Sequence, residues 1–393
     1  MQRHLITPRD HWQAQAQEYG FDFHTMYGEP YWDESRYYAF TLKQIENDIE
    51  APTEELHQMC LEVVDEVVNN ENLLRRFAIP EAHWDLIASS WRLREPSLYG
   101  RMDLAYSGTG PAKFLEYNAD TPTSLYESAF FQWLWLEDRL KDGTLAPGSD
   151  QFNGIQEALI ARFAELKTQW PPVPLHFASC EESIEDRGTV QYLEDCAAEA
   201  GFDTRYTAIE QIGLGQQDQF VSPDGEDIRA CFKLYPWEFM LREEFAQHLA
   251  KANVRWLEPA WKSVLSNKAI LPVLWYRHRG HPNLLPAYFP DHLDQCDEQR
   301  LVKKPLYSRE GANIEILDQG KVIERSGGEY GEEGAIYQGF TDLPRFDDGQ
   351  GQVDHALLGS WVVGERAAGL SVREDQSRIT QDLSRFIPHC ILP

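Results

Sequence analysis

The chain has 393 residues, a length that allows two or three structural domains. Hydrophobic residues make up 42% and charged residues 25%, with 12 Trp, 17 Tyr and 19 Phe; this excludes a mainly disordered chain and allows a large buried core. The net charge of −28 repels a phosphate backbone, which argues against nucleic acid as a partner and favours cations, organic amines and Mg²⁺ among them.

The first third reads as helix. Residues 34–49 and 53–69 carry apolar side chains at three-and-four spacing, with Pro52 near the start of the second run. A further helix is predicted over 80–94, with Trp84, Ile87 and Trp91 on one face. Residues 98–106 and 112–118 alternate instead, and Ser-Gly-Thr-Gly-Pro lies between them, which predicts a hairpin with a loop longer than two residues. Helix resumes over 124–139 and again over 156–170. A short strand after Pro171 and Pro172, a helix over 189–200 and a strand over 203–208 form a βαβ-like section. Residues 230–300 mix both types, and Lys268 precedes an apolar run read as a buried strand. Strands follow at 301–306, 313–317 and 321–324, the last two joined by Asp318-Gln319-Gly320. The Gly-rich stretch 327–334 reads as a mobile loop. The class is mixed α/β.

Cys60, Cys180, Cys196, Cys231, Cys296 and Cys390 are scattered, with no C-x-x-C and no zinc-type spacing, which fits a reducing cytoplasm. The N-terminal stretch lacks the apolar region of a signal peptide, and the apolar run 269–276 is too short to span a bilayer. A cytoplasmic protein with no membrane partner is expected.

The segment 101–124 carries the most chemical information. Strand side chains alternate, so Arg101 and Asp103 share a face, as do Glu116 and Asn118, while Met102, Leu104, Leu115 and Tyr117 take the other. If Tyr106 pairs with Lys113, Asp103 stands opposite Glu116 and Arg101 opposite Asn118. Two carboxylates across a ladder repel and need a cation between them. Asp, Glu and Asn oxygens suit a hard divalent ion such as Mg²⁺, and Arg101 would face the same phosphates. The same residues also fit a solvated face in which Arg101 neutralises one acid. Further on, Lys303 and Lys304 end a strand before a small-residue loop containing Gly311, an arrangement that suits either phosphate binding or a plain surface hairpin. Gln338 sits on a strand whose backbone could meet an adenine edge or that is simply an ordinary strand, and Arg373, with Arg378 and Arg385 as competitors, suits either phosphate or carboxylate binding or a surface salt bridge.

Four blocks in this order resemble the glutathionylspermidine synthase family, specifically its stand-alone bacterial acid–amine ligase members. They are Arg101-Met102-Asp103; Phe114-Leu115-Glu116-Tyr117-Asn118-Ala119-Asp120-Thr121-Pro122; Lys303-Lys304-Pro305-Leu306-Tyr307-Ser308-Arg309-Glu310-Gly311; and Ala368-Gly369-Leu370-Ser371-Val372-Arg373-Glu374. The resemblance implies one synthetase module with an ATP-grasp-like fold. Its parts would be a helical region over 1–165 bearing the metal hairpin 101–118, a βαβ-like substrate subdomain over 166–260, and an ATP-grasp nucleotide region over 261–393. It implies that Asp103, Glu116 and Asn118 hold Mg²⁺, and that Arg101 is catalytic and contacts ATP. Met102, Asp103, Lys268, Lys304, Gly311, Gln338 and Arg373 would complete the ATP site. The implied reaction is ATP-dependent amide formation from a small carboxylic acid and an amine, with glutathione or a peptide and a polyamine as the family's pair. A catalytically silent nucleotide-binding protein, or a carboxylate kinase without the amine step, are the alternatives. The family's acidic pair for the amine would fall near Glu185 and Asp186. None of the cysteines has the setting of the family's amidase nucleophile, so hydrolytic activity is not expected.

Overall fold

The computed structural model describes residues 1–347, 351–382 and 384–393. Its centre is an antiparallel sheet in the order Arg385–Ile387, Arg366–Asp375, Val353–Val363, Tyr99–Ala105, Lys113–Asn118, with Arg345–Asp347 also pairing to Val353–Val363. One face of this sheet packs on the helix Ala51–Val68. Met102, Leu104, Leu358 and Val372 meet Leu56, Met59, Val63 and Val64 there in one continuous core. The other face carries polar side chains and opens on a cavity.

A second antiparallel sheet covers that cavity, in the order Ala287–Tyr288, Ala335–Gly339, Arg300–Pro305, Glu315–Asp318, Lys321–Arg325. Two antiparallel sheets enclosing a cleft are the ATP-grasp arrangement. A third, parallel sheet contains Arg255–Leu257, Ala230–Leu234, Leu175–Ser179 and Thr204–Tyr206 in that order. The helices Ile155–Gln169 and Ile184–Glu199 pack together beside it, which is the βαβ section read from the sequence. A small sheet joins the two ends of the chain: Arg36–Thr41 lies between Gln2–Leu5 and His389–Leu392.

Two predicted elements are corrected. Residues 36–41 of the first predicted helix form a strand, because Tyr37, Tyr38 and Phe40 favour a pleated surface and two strands are available to pair with them. Helix starts only after Thr41, whose side chain and Gln44 form a reciprocal capping box. It then passes through a π-helical turn, Ile45–Glu50, immediately before Pro52. The apolar run after Lys268 is the helix Ile270–Arg277, not a strand; a fully buried apolar stretch shows no period to separate the two. No helix among the described residues is long and apolar enough to cross a membrane.

Candidate active site

The hairpin Tyr99–Ala105 and Lys113–Asn118 sets Asp103 opposite Glu116 and Arg101 opposite Asn118, as expected. The supposed pairing of Tyr106 with Lys113 is not what produces this register. Lys113 pairs with Ala105 and Phe114 with Leu104, so Leu115 is an extra residue that restores the register at Glu116. The bulge also corrects the faces: Phe114 enters the core, and Leu115 turns toward the cavity beside Leu343 and Leu357. The polar face is not a solvated surface, since Arg101 and Asp103 are each only 3% exposed.

Arg101 forks onto Asp103, with Nε to Oδ1 at 2.8 Å and Nη2 to Oδ2 at 3.2 Å, and its Nη1 donates to the Thr123 carbonyl at 2.7 Å. Its guanidinium lies over Trp361, 5.8 Å from the ring centroid. Room for it comes from Gly359, where a Cβ would stand 2.6 Å from the Arg101 Cδ. Burial works against the Arg101 charge, but Asp103 overrides it and raises the guanidinium pKa. Arg373 reaches the same carboxylate, Nη2 to Asp103 Oδ2 at 3.3 Å; burial and the neighbouring Arg101 lower its pKa.

The Asn118 amide nitrogen lies 3.3 Å from both Asp103 Oδ2 and Glu116 Oε1. As placed, the amide nitrogen faces the two carboxylates; turned over, the amide would add its oxygen to theirs, the donor type a hard divalent cation takes. Among the described residues no group of three or more His, Cys, Asp or Glu could hold a metal. Lys268 Nζ lies 3.0 Å from Glu116 Oε2. Burial alone would raise the Glu116 carboxyl, but the charges of Lys268 and Lys304 bring it down to about 2. Burial conversely lowers the Lys304 ammonium to about 8, with Glu116 opposing the shift.

Arg101, Asp103, Glu116, Asn118, Lys304, Gly311, Gln338 and Arg373 all line one cavity between the two antiparallel sheets. Lys268 stands behind Glu116 rather than in the lining. Met102 is corrected: its side chain is fully buried in the core on the opposite face, because neighbours along a strand point to opposite sides. Gln338 is corrected in part. Its strand is flanked by partners on both sides, so its backbone serves the sheet, while its side chain lines the cavity and donates to the Phe114 carbonyl at 3.0 Å. Val302, Ile314, Ile316 and Phe340 form an apolar slot in the lining of the same cavity.

Gly311 has φ +69°, and a Cβ there would lie 2.5 Å from the Thr380 carbonyl oxygen, so the loop after Lys304 sits directly on the segment following Arg373. The loop at 308–313 is tied to the Gly-rich stretch 327–334: Asn313 N donates to the Gly327 carbonyl at 3.1 Å, and Asn313 Oδ1 accepts from Tyr330 N at 3.0 Å. Sequence reasoning missed two contributors. Arg309 lines the cavity and pairs with Glu238 at 3.0 Å. Gly359 was visible as a glycine inside an apolar strand, a sign of close approach.

The profile of the family described as Glutathionylspermidine synthase preATP-grasp matches residues 3–392. A protein of Haemophilus influenzae that bears the provisional name acid–amine ligase is 42% identical over 388 residues, covering 95% of each chain. Trypanothione synthetase of Crithidia fasciculata is 30% identical over 83% of this chain and 52% of its own length. The bifunctional glutathionylspermidine synthetase/amidase of Escherichia coli is 28% identical over 91% of this chain and 59% of its own. The chain thus spans little more than half of those two longer relatives. Among solved structures, a glutathione synthetase-like effector of Globodera pallida superposes with a TM-score of 0.51 at 10% identity, covering 86% of this chain and 88% of its own; that likeness concerns the fold. The match over nearly the whole chain, on the fold and cavity just described, makes this protein a member of the glutathionylspermidine synthase family of ATP-dependent C–N ligases.

Proposed function

We propose that this protein joins a small carboxylic acid to an amine through an acyl phosphate, with ATP as the phosphoryl donor. The observation that supports this most is the convergence of Arg101, Asp103, Glu116, Asn118, Lys304 and Arg373 on one cavity with an apolar slot at its side. Mg²⁺ would be held by Asp103, Glu116 and Asn118, and when bound it supplies positive charge beside the phosphates. The purine would occupy the slot of Val302, Ile314, Ile316 and Phe340, and Lys304 and Arg373 would hold phosphate oxygens. Arg101 would stabilise charge on the transferred group as the acid's carboxylate attacks it. The loops at 308–313 and 327–334 would exclude water from the acyl phosphate.

Glutathione and spermidine, the substrates in the name of the Escherichia coli relative, are the first pair to test. An acidic wall next to the cavity supports a cationic amine. Glu310 and Asp382 line it together with Arg309. Glu185 and Asp186 interact with the same wall, and no lysine or arginine among the described residues ion-pairs with Glu185. Burial, then Glu127, raises the Glu185 carboxyl well above its ordinary value, the state of an acid short of positive charge.

With Mg²⁺, ATP, glutathione and hydroxylamine, the protein is expected to release ADP and form glutathione hydroxamate, and spermidine should divert the product to an amide. ADP release that never depends on the acid would remove this reading. The Lys304 ammonium adds a pH signature. It is charged in the ligand-free protein below about 8 and neutral above. Phosphates favour the charged form, so ADP binding should weaken as pH rises through that value and should take up a proton there. Calorimetry at pH 7 and 9 in buffers of different ionisation enthalpy would show the uptake, and Lys304→Arg should abolish it.

A further inference from the structure

Glu127 lies outside the cavity lining and plays no part in the reading above. It opens a π-helical turn, Glu127–Phe131, a few residues after Thr121 and Thr123 of the cavity wall. Its side chain is fully buried, and neither carboxyl oxygen closes a hydrogen bond of ordinary geometry. Buried carboxylates without partners are uncommon, because the lost hydration is not replaced. The Tyr31 hydroxyl faces it and is itself 2.8 Å from Ser124 Oγ. Ser124 is held at φ +66°, a left-handed conformation costly for a residue with a Cβ. Arg101 and Arg373 interact with Glu127 from the phosphate side, Glu185 from the acidic wall, and Tyr126 from its own helix. Glu127 is thus within electrostatic reach both of the arginines that would handle phosphate and of Glu185 on the acidic wall.

We infer that Glu127, reached through the Tyr31 hydroxyl, accepts the proton that a bound ammonium must lose before it can attack. This rests on the ligase reading. An ammonium nitrogen has no lone pair. One of its protons passes through Tyr31 to the Glu127 carboxylate, and the freed lone pair attacks the acyl-phosphate carbonyl carbon. The bond from that carbon to the phosphate oxygen breaks, a second nitrogen proton leaves with inorganic phosphate, and the amide remains. Glu127 ends as the neutral acid and returns its proton to solvent when the site opens. Its setting suits this role, because burial raises the carboxyl to about 7, and proton transfer works best with a group poised near the working pH.

The test compares Glu127→Gln with the wild type, using glutathione and Mg²⁺-ATP with either hydroxylamine or spermidine. Hydroxylamine is largely uncharged at neutral pH and needs no proton acceptor. The variant should form hydroxamate at the wild-type rate within a factor of about two, yet lose amide formation by about 10²- to 10⁴-fold at pH 7. The loss should shrink roughly tenfold per pH unit as free amine becomes available. Tyr31→Phe should show the same split. Equal loss of both products, or undiminished amide formation, would overturn the assignment. A wild type that forms no hydroxamate refutes the ligase reading instead. The proton acceptor is then judged by infrared spectroscopy. A protonated-carboxyl band that titrates near neutrality, disappears on adding spermidine and is missing from Glu127→Gln supports it; a wild type without that band refutes it.

Discussion

Arg101→Lys is expected to lower the turnover of ATP by about 10³-fold or more, the range seen when a phosphoryl-transfer arginine is lost. Lysine keeps the positive charge beside Asp103, so no buried carboxylate is stranded. What it cannot reproduce is the planar fork, which binds both Asp103 oxygens at 2.8 and 3.2 Å while a third nitrogen holds the Thr123 carbonyl at 2.7 Å. The side chain is thereby aimed, not merely charged. Thermal unfolding should move by only a few degrees, because the ion pair survives in weaker form. ADP release and a melting curve on the same preparation separate the two effects. An Arg101→Lys protein within tenfold of wild type would mean that Arg101 does not stabilise the transferred group.

Asp120→Ala should show the opposite balance, with a large loss of stability. Asp120 Oδ1 accepts from Lys233 Nζ at 2.7 Å, and Oδ2 accepts from the Trp237 backbone at 2.7 Å. The Lys233 and Asp120 side chains are 0% and 1% exposed. Among the described residues, removing the carboxylate leaves the buried ammonium with the Tyr235 carbonyl, 2.8 Å away, as its hydrogen-bond acceptor and the Trp237 ring, 4.7 Å away, as a weaker neighbour. Breaking such a pair from one side destabilises by about 3–5 kcal/mol. Urea unfolding would measure it. Adding Lys233→Met should recover part of the loss, because the stranded charge is then gone as well. The pair joins the end of the site hairpin to the parallel sheet, so its loss should also loosen the position of Asn118.

The hairpin is legible in the sequence because its period of two is local and its polar face is chemically uniform. Its register follows from the bulge at Leu115 and not from a pairing of Tyr106 with Lys113, and nothing in a single strand's alternation marks which residue will be extra. The strand at 36–41 reads as helix because its partners lie at residues 2–5 and 389–392, beyond any local window. Resemblance alone links Lys268 to the nucleotide site, and the apolar run after it suggests a strand; the structure instead sets it at the start of a helix, where it neutralises Glu116. Glu127 carries no signal at all. Its burial and its pairing with the Tyr31 hydroxyl arise only when residues distant in sequence come together.

The order of strands in the central sheet has a consequence for biosynthesis. Tyr99–Ala105 lies between Lys113–Asn118, its near neighbour in sequence, and Val353–Val363, about 250 residues later. A ribosome that has delivered the hairpin must extend the nascent polypeptide through most of its remaining length before the other edge is covered. Until then Arg101 and Asp103 lack Trp361, Gly359 and Arg373 around them. Such distant pairing slows folding and leaves a strand edge open to other molecules. The hairpin is therefore the segment whose protection by chaperones during translation should matter most for the yield of competent enzyme.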